Sequence, residues 1–317
     1  MTDPVNVTFD ASAERLLIFD APAGQMIEIP AGPDGALDPE AVRRIDVRSL
    51  GVREPRGLAV DPVGGRLFVL DAAYPRIVRA EAGGDGGFER PAVADIDLPP
   101  TGLNLRGLAF DPSTGHLHVL DAATRVLHEL TESGRVVASR DLSGLRIRRP
   151  EGLTFAPSAD ATDDPDEMSL YVADSGERRA DGRRGDERVD AGQILEISFV
   201  EPGIAAASTA SSSLVSIIDV SRFSPPSPDP AGITYLGHLG DLLISDSEVN
   251  EMSIYQGANL FRTTLQGSLV ETYTTLAYSN EPTGITWNPR NNHVFISDDN
   301  ADEIFELAPG PDGQYGT

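Results

Sequence analysis

The sequence predicts an all-β protein, a six-bladed β-propeller built from four-stranded antiparallel blades. Three observations carry this. A glycine-centred phrase recurs along the chain, a second phrase ending in aspartate follows each copy, and no window of helical length has a convincing helical period. The first phrase reads EPRGLAVDP (54–62), NLRGLAFDP (104–112), RPEGLTFAP (149–157), DPAGITYLG (229–237) and EPTGITWNP (281–289). A degenerate copy, PVNVTFDA, stands at 4–11 with Asn6 in the glycine register. The register positions Asn6, Gly57, Gly107, Gly152, Gly232 and Gly284 are spaced by 51, 50, 45, 80 and 52 residues.

Each element of a blade follows in order. The first phrase supplies the innermost strand. The second strand comes from RLLIFDA, RLFVLDA, HLHVLDA, SLYVADS, DLLISDS and HVFISDD, whose last common acids are Asp20, Asp71, Asp121, Asp174, Asp246 and Asp298. A third apolar run comes next (QMIEI, RIVRA, RVLHEL, QILEI, NLFRTTL, EIFEL), and a fourth follows in five copies (RRIDV, AVADIDL, RVVASRDL, SLVSIIDV, SLVETYTTL). Short Val-, Ile-, Leu- and Phe-rich runs between Gly, Pro, Asp and Asn are strands, and four per repeat of this length make a propeller blade. Only AVRR at 41–44 offers the start of a helix. The blades fall at 4–53, 54–103, 104–148, 149–228, 229–280 and 281–317, one propeller over 1–317.

Two copies depart from the pattern. Blade 4 carries extra segments at 158–168, 176–192 and 201–213. Blade 6 ends soon after EIFEL, so its outer strand is expected to be missing, with the chain stopping inside a longer polypeptide or the last blade closing unusually.

The phrase P-x-G-[LI]-[AT] followed by a strand ending in Asp resembles NHL-repeat and TolB-like six-bladed propellers. It is also similar to propeller domains of large exported bacterial proteins that sit beside calcium-binding modules. The resemblance covers nearly the whole chain and implies the fold; propellers host many activities.

Composition narrows the function classes. Net charge is −25 and all 25 basic residues are arginine, which argues against nucleic-acid or anionic-membrane partners. There is no cysteine, so thiol catalysis, disulfides and thiolate metal sites are excluded. No window reaches 18 apolar residues and the opening MTDPVNVTFD lacks a basic region followed by an apolar stretch, so direct membrane insertion is not expected of this chain. The resemblance implies an extracellular or periplasmic protein whose signal lies outside this chain.

The first strand of a blade starts on the face where the second one ends. One mouth of the ring should therefore gather Arg56, Arg106, Glu151, Ala231 and Thr283, just before the glycine positions, with Glu54, Asp229, Glu281 and the six repeated aspartates nearby. Oxygen ligands at such a mouth favour Ca²⁺ or Mg²⁺. The competing reading makes each repeated Asp a turn-former that accepts backbone N–H bonds, since all six copies keep it. The sequence also resembles gluconolactonase-type propellers, in which a Glu, an Asn and an Asp from different blades hold one divalent cation. That resemblance implies Glu151, with Asp174, Asp246 or Asp298, as metal ligands; the sequence offers no clear counterpart of the Asn.

The remaining motifs are weak. His116 and His118 share one face of their strand, without a third nitrogen or sulfur ligand nearby in sequence. No G-x-S-x-G is present, the acidic loop 160–167 lacks the calcium-loop pattern, and Arg184-Gly185-Asp186 sits in a loop rich in those three residues. The leading expectation is a non-catalytic binding or protein-interaction module with Ca²⁺ as its stabilising ion. A lactonase- or esterase-type hydrolase and a structural subunit of a larger assembly are the alternatives.

Overall fold

A computed structural model describes residues 4–20, 23–83, 87–88, 91–99, 104–145, 147–164, 166–175, 177–179, 188–190, 192–200 and 211–315. Six antiparallel blade sheets form the ring, each following chain order from the axis outward. Blade 1 contains β1 (Pro4–Asp10), β2 (Arg15–Asp20), β3 (Gln25–Pro30) and β4 (Arg43–Asp46). Blade 2 contains β5 (Pro55–Val60), β6 (Leu67–Asp71), β7 (Arg76–Glu81) and β8 (Ala92–Asp97). Blade 3 contains β9 (Leu105–Asp111), β10 (His116–Asp121), β11 (Val126–Thr131) and β12 (Val136–Asp141).

Blade 4 has β13 (Arg149–Pro157) and β14 (Met168–Ser175), then a separate two-stranded hairpin, β15 (Glu177–Arg179) and β16 (Arg188–Asp190). Its sheet resumes with β17 (Gln193–Val200) and β18 (Ser211–Ile218). Blade 5 is β19 (Pro230–Leu236), β20 (Asp241–Asp246), β21 (Leu260–Thr264) and β22 (Leu269–Tyr273). Blade 6 has three strands, β23 (Pro282–Trp287), β24 (Val294–Asp298) and β25 (Glu303–Leu307), as its short sequence requires.

The first strands pack side by side in a closed circuit, β1–β5–β9–β13–β19–β23 and back to β1. The last junction is held by the Phe9–Phe295 ring stack at 6.2 Å and by Phe9 N donating to Thr286 Oγ1 at 3.2 Å. The expected helix at 41–44 does not form. Pro39–Ala41 makes one 3₁₀ turn, capped by Asp38 accepting from Glu40 N, and β4 begins two residues later. A three-residue turn that runs into extended Val42 does not propagate as an α-helix.

Why the second strands are buried at nearly every position is clear from the core. A blade's second strand is sandwiched between two neighbours, so alternate residues enter two different hydrophobic clusters. Leu17 and Phe19 of β2 pack between blades 1 and 2, while Leu16 and Ile18 pack between blades 6 and 1. Each of the six junctions has such a cluster. The core is thus a ring of six interblade layers, and each layer draws on strands far apart in sequence.

Candidate functional site

An axial cavity of about 490 Å³ opens at the mouth where first strands begin, lined from all six blades. Strand irregularity aims its side chains. In blade 2, Pro55 pairs with Asp71 but Gly57 pairs with Leu70, so Arg56 has no cross-strand partner. The same slip bypasses Glu151 in blade 4 and Ala231 in blade 5. A bulge of this kind bends the strand and redirects the extra side chain, here into the cavity. Blade 6 slips across Thr283 and Gly284. In blade 3 the bypassed residue is Gly107, and Arg106 stays in register with Leu120. The sequence-selected Arg56, Arg106, Glu151 and Thr283 all stand on the cavity wall.

The glycines that follow the bulges of blades 4 and 5 answer to crowding. A Cβ on Gly152 would lie 2.7 Å from Ala231 O, and one on Gly232 would lie 2.5 Å from Thr283 O. Neighbouring first strands approach there too closely for any side chain.

Charge is divided around the mouth. Arg56, Arg106 and Arg149 come from blades 2, 3 and 4, whereas Asp229, Glu248, Glu281 and Asp299 come from blades 5 and 6. Glu151 stands at the division. Its Oε1 accepts from Arg149 Nη2 at 3.3 Å, and Oε2 lies 3.5 Å from Arg106 Nη1. Burial pushes the Glu151 carboxyl up from the ordinary range; the two guanidiniums oppose this and Asp229 adds to it. Arg56 binds Glu54 Oε1 at 2.6 Å, and Arg106 Nε donates to Asn104 Oδ1 at 3.1 Å. Thr283 Oγ1 donates to Ser297 O at 3.2 Å.

The other carboxylates proposed as metal ligands sit elsewhere. Asp174, Asp246 and Asp298 are fully buried behind the first strands and do not line the cavity. Asp174 accepts from Arg148 N (2.9 Å), Arg149 N (2.6 Å) and Gln193 Nε2 (2.8 Å). Asp246 accepts from Ser227 Oγ and Asp229 N, both at 2.8 Å, and from Val249 N at 2.9 Å. Asp298 accepts from Ser279 Oγ (2.6 Å), Asn280 N (3.0 Å), Glu281 N (3.1 Å) and Ala301 N (2.6 Å). Asp246 and Asp298 tie the start of their blade's first strand to the turn after its second, and Asp174 ties it to Gln193 at the start of β17. Their oxygens are consumed by donors, and Glu151 is held by two arginines. Among the described residues no group of three or more His, Asp or Glu is placed to hold a metal ion, so they do not fit a divalent-cation cage.

Sequence reasoning did not select Arg149, Glu248 or Asp299 for the mouth, and treated Asn6 only as a register mark. Arg149 was findable: it occupies the position two before the bulge that Glu54, Asp229 and Glu281 hold in their own copies. Glu248 lies past the second phrase, and Asp299 is the last residue of its copy, at a position where the other copies carry Ala or Ser. His116 Nδ1 meets Glu129 Oε1 at 2.6 Å, whereas His118 is enclosed between Phe155 and Phe199, so the pair does not form a shared ligand set. The acidic loop 158–168 is braced internally: Thr162 N and Oγ1 bind Asp160 Oδ1, and Ser158 Oγ binds Asp163 Oδ2. Arg184-Gly185-Asp186 falls outside the described residues. No described helix is long and apolar enough to cross a membrane.

Comparison with known proteins agrees on architecture. A family model described as SdiA-regulated matches residues 36–160, from the end of blade 1 into the first two strands' connection of blade 4. No curated protein matches the sequence significantly. Similar solved structures include a luciferin-regenerating enzyme (16% identity, TM-score 0.62, covering 100% of this chain and 94% of that one). A nidogen–laminin complex contributes another (15%, TM-score 0.57, covering 95% and 96%). A gluconolactonase from Xanthomonas campestris is a third (17%, TM-score 0.55, covering 94% and 84%). At these identities the likeness is one of fold, and the chain is a six-bladed β-propeller whose last blade has three strands.

Proposed function

We propose that the protein is a non-catalytic extracellular binding module that seats a polar ligand in its axial cavity. One observation carries this: equivalent positions of the first strands deliver side chains that differ around the ring, Arg56, Arg106, Glu151, Ala231 and Thr283, to one cavity, with guanidiniums on blades 2 to 4 and carboxylates on blades 4 to 6. A purely architectural mouth would repeat the same residue around the ring, as the buried aspartates do. A charge-divided wall instead suits one molecule bound in one orientation. A fold neighbour taken from a protein–protein complex supports an interaction role for this architecture.

The test is a thermal-shift screen of small acids, amines and zwitterions against the whole chain, followed by titration calorimetry of each hit. Under this reading, hits lose affinity in both Arg106→Ala and Glu151→Gln. Hits whose affinity survives both substitutions sink it.

A second reading, hydrolysis of a lactone or ester centred on Glu151, is favoured by the raised carboxyl in a cavity, a property suited to acid–base work. A gluconolactonase among the fold neighbours is compatible with it. Turnover of a lactone panel that disappears in Glu151→Gln would replace the binding reading with this one.

A further inference from the structure

A second cavity, of about 420 Å³, lies at the junction of blades 3 and 4 on the face opposite the axial mouth. Its wall includes His118 of β10, Glu129 of β11, Phe199 of β17, and Asp166, Glu167 and Met168 from the loop entering β14. His118 is 1% exposed, and neither ring nitrogen has a hydrogen-bond partner. Its imidazole is stacked on Phe199 at 4.8 Å and meets Phe155 edge-on at 5.0 Å. Burial lowers its pKa to about 4 against the opposing pull of Glu129 and Asp111, so near neutral pH the ring is uncharged. One nitrogen is then an acceptor and the other a donor, and the protein uses neither. Buried polar atoms without partners are costly, which makes a ligand group the natural completion.

The surrounding charges define that ligand. Glu129 is already engaged by His116 and Arg140, and Asp111 by Ser113 and Thr114. Those oxygens are not available for a metal cage; Arg140, seated on Phe199 at 4.7 Å, offsets the charge of Glu129, and the field of Asp111, with Asp166 and Glu167 at the opening, favours a cation. Met168 and Phe199 add an apolar wall. We propose that this groove binds a small primary alkylammonium ion, which donates an N–H to His118 and places its charge toward Asp166 and Glu167. The alkyl body lies against Met168 and Phe199. This site is separate from the axial cavity and stands or falls independently of it.

The test uses the whole chain with n-butylammonium chloride, read by calorimetry and by the ¹⁵N shifts of the His118 ring. Saturable binding with a ring-nitrogen shift is expected. Affinity should fall by about tenfold or more in His118→Phe, which keeps the stacking and removes the nitrogens, and by several-fold in Glu167→Gln. n-Butanol lacks the charge and should not bind; tetramethylammonium lacks N–H donors and should bind more weakly. The proposal is overturned by an absence of saturable binding, by an unmoved His118 ring, by equal affinity for n-butanol, or by Ca²⁺ occupying the groove where the amine does not. Should His118→Phe fail to fold, the wild-type ring shift and the Glu167→Gln affinity decide the matter.

Discussion

Glu151 of blade 4 faces Arg106 of blade 3 across their junction, with 3.5 Å between Oε2 and Nη1, while Arg149 holds the other oxygen. Burial raises this carboxyl and the guanidiniums restrain it. Arg106→Ala removes one restraint, so the midpoint of Glu151 should move further up. A carboxyl ¹³C titration reads it directly. An unmoved or lowered midpoint would show that Arg106 is screened from Glu151 by solvent.

The acid run at 298–303 contains one architectural residue and several solvated ones. Asp298→Ala leaves the donors of Ser279, Asn280, Glu281 and Ala301 without their acceptor and should cost about 3 kcal/mol. Exposed Glu303→Ala should change stability by less than about 0.5 kcal/mol. Urea unfolding of the two variants separates these roles. Equal losses would contradict the assignment.

Crowding between first strands predicts a position-specific response to added volume. Gly232→Ala drives a methyl against Thr283 O and should destabilise by about 1–3 kcal/mol. Gly144→Ala meets nothing within 4 Å and should be nearly silent. Thermal midpoints of both variants check the contrast.

Two buried groups give stability opposite slopes with pH. Burial, reinforced by the charge of Asp229, pushes Asp246 up to about 7. The folded chain then keeps a proton that the unfolded one has lost, so this contribution is complete below about pH 4 and fades as pH rises to about 7. His118 is held down at about 4, so its contribution is complete above about pH 6.5 and fades as pH falls toward 4. Unfolding free energies across pH should lose the first slope in Asp246→Asn and the second in His118→Phe. Parallel curves for variant and wild type would refute the corresponding assignment.

Much of the ring was legible because propeller blades repeat. The Pro-x-Gly phrase marks a bulge followed by a close approach, and the apolar second strand marks burial on both faces. The repeated Asp marks the tie between turn and strand. Blade 4 was harder: its period of 80 residues hides the added hairpin β15–β16. The site was legible only in part. Arg56, Arg106, Glu151 and Thr283 followed from their place in the repeat, whereas Glu248 lies beyond it and Asp299 stands where the other copies carry Ala or Ser.

By itself, the sequence determined the blade count, the order of the four repeated strands within a blade and part of the axial mouth (Arg56, Arg106, Glu151 and Thr283), because those follow from local periodicity and turn chemistry. Only the tertiary structure decided which acids are buried ties and which face the cavity, that Glu151 lies between two arginines, and that His118 ends beside the Phe199 ring of another blade. These depend on the packing of blades against one another. Residues as distant as His118 and Phe199 meet only when blades 3 and 4 pack together, and no local pattern records that meeting.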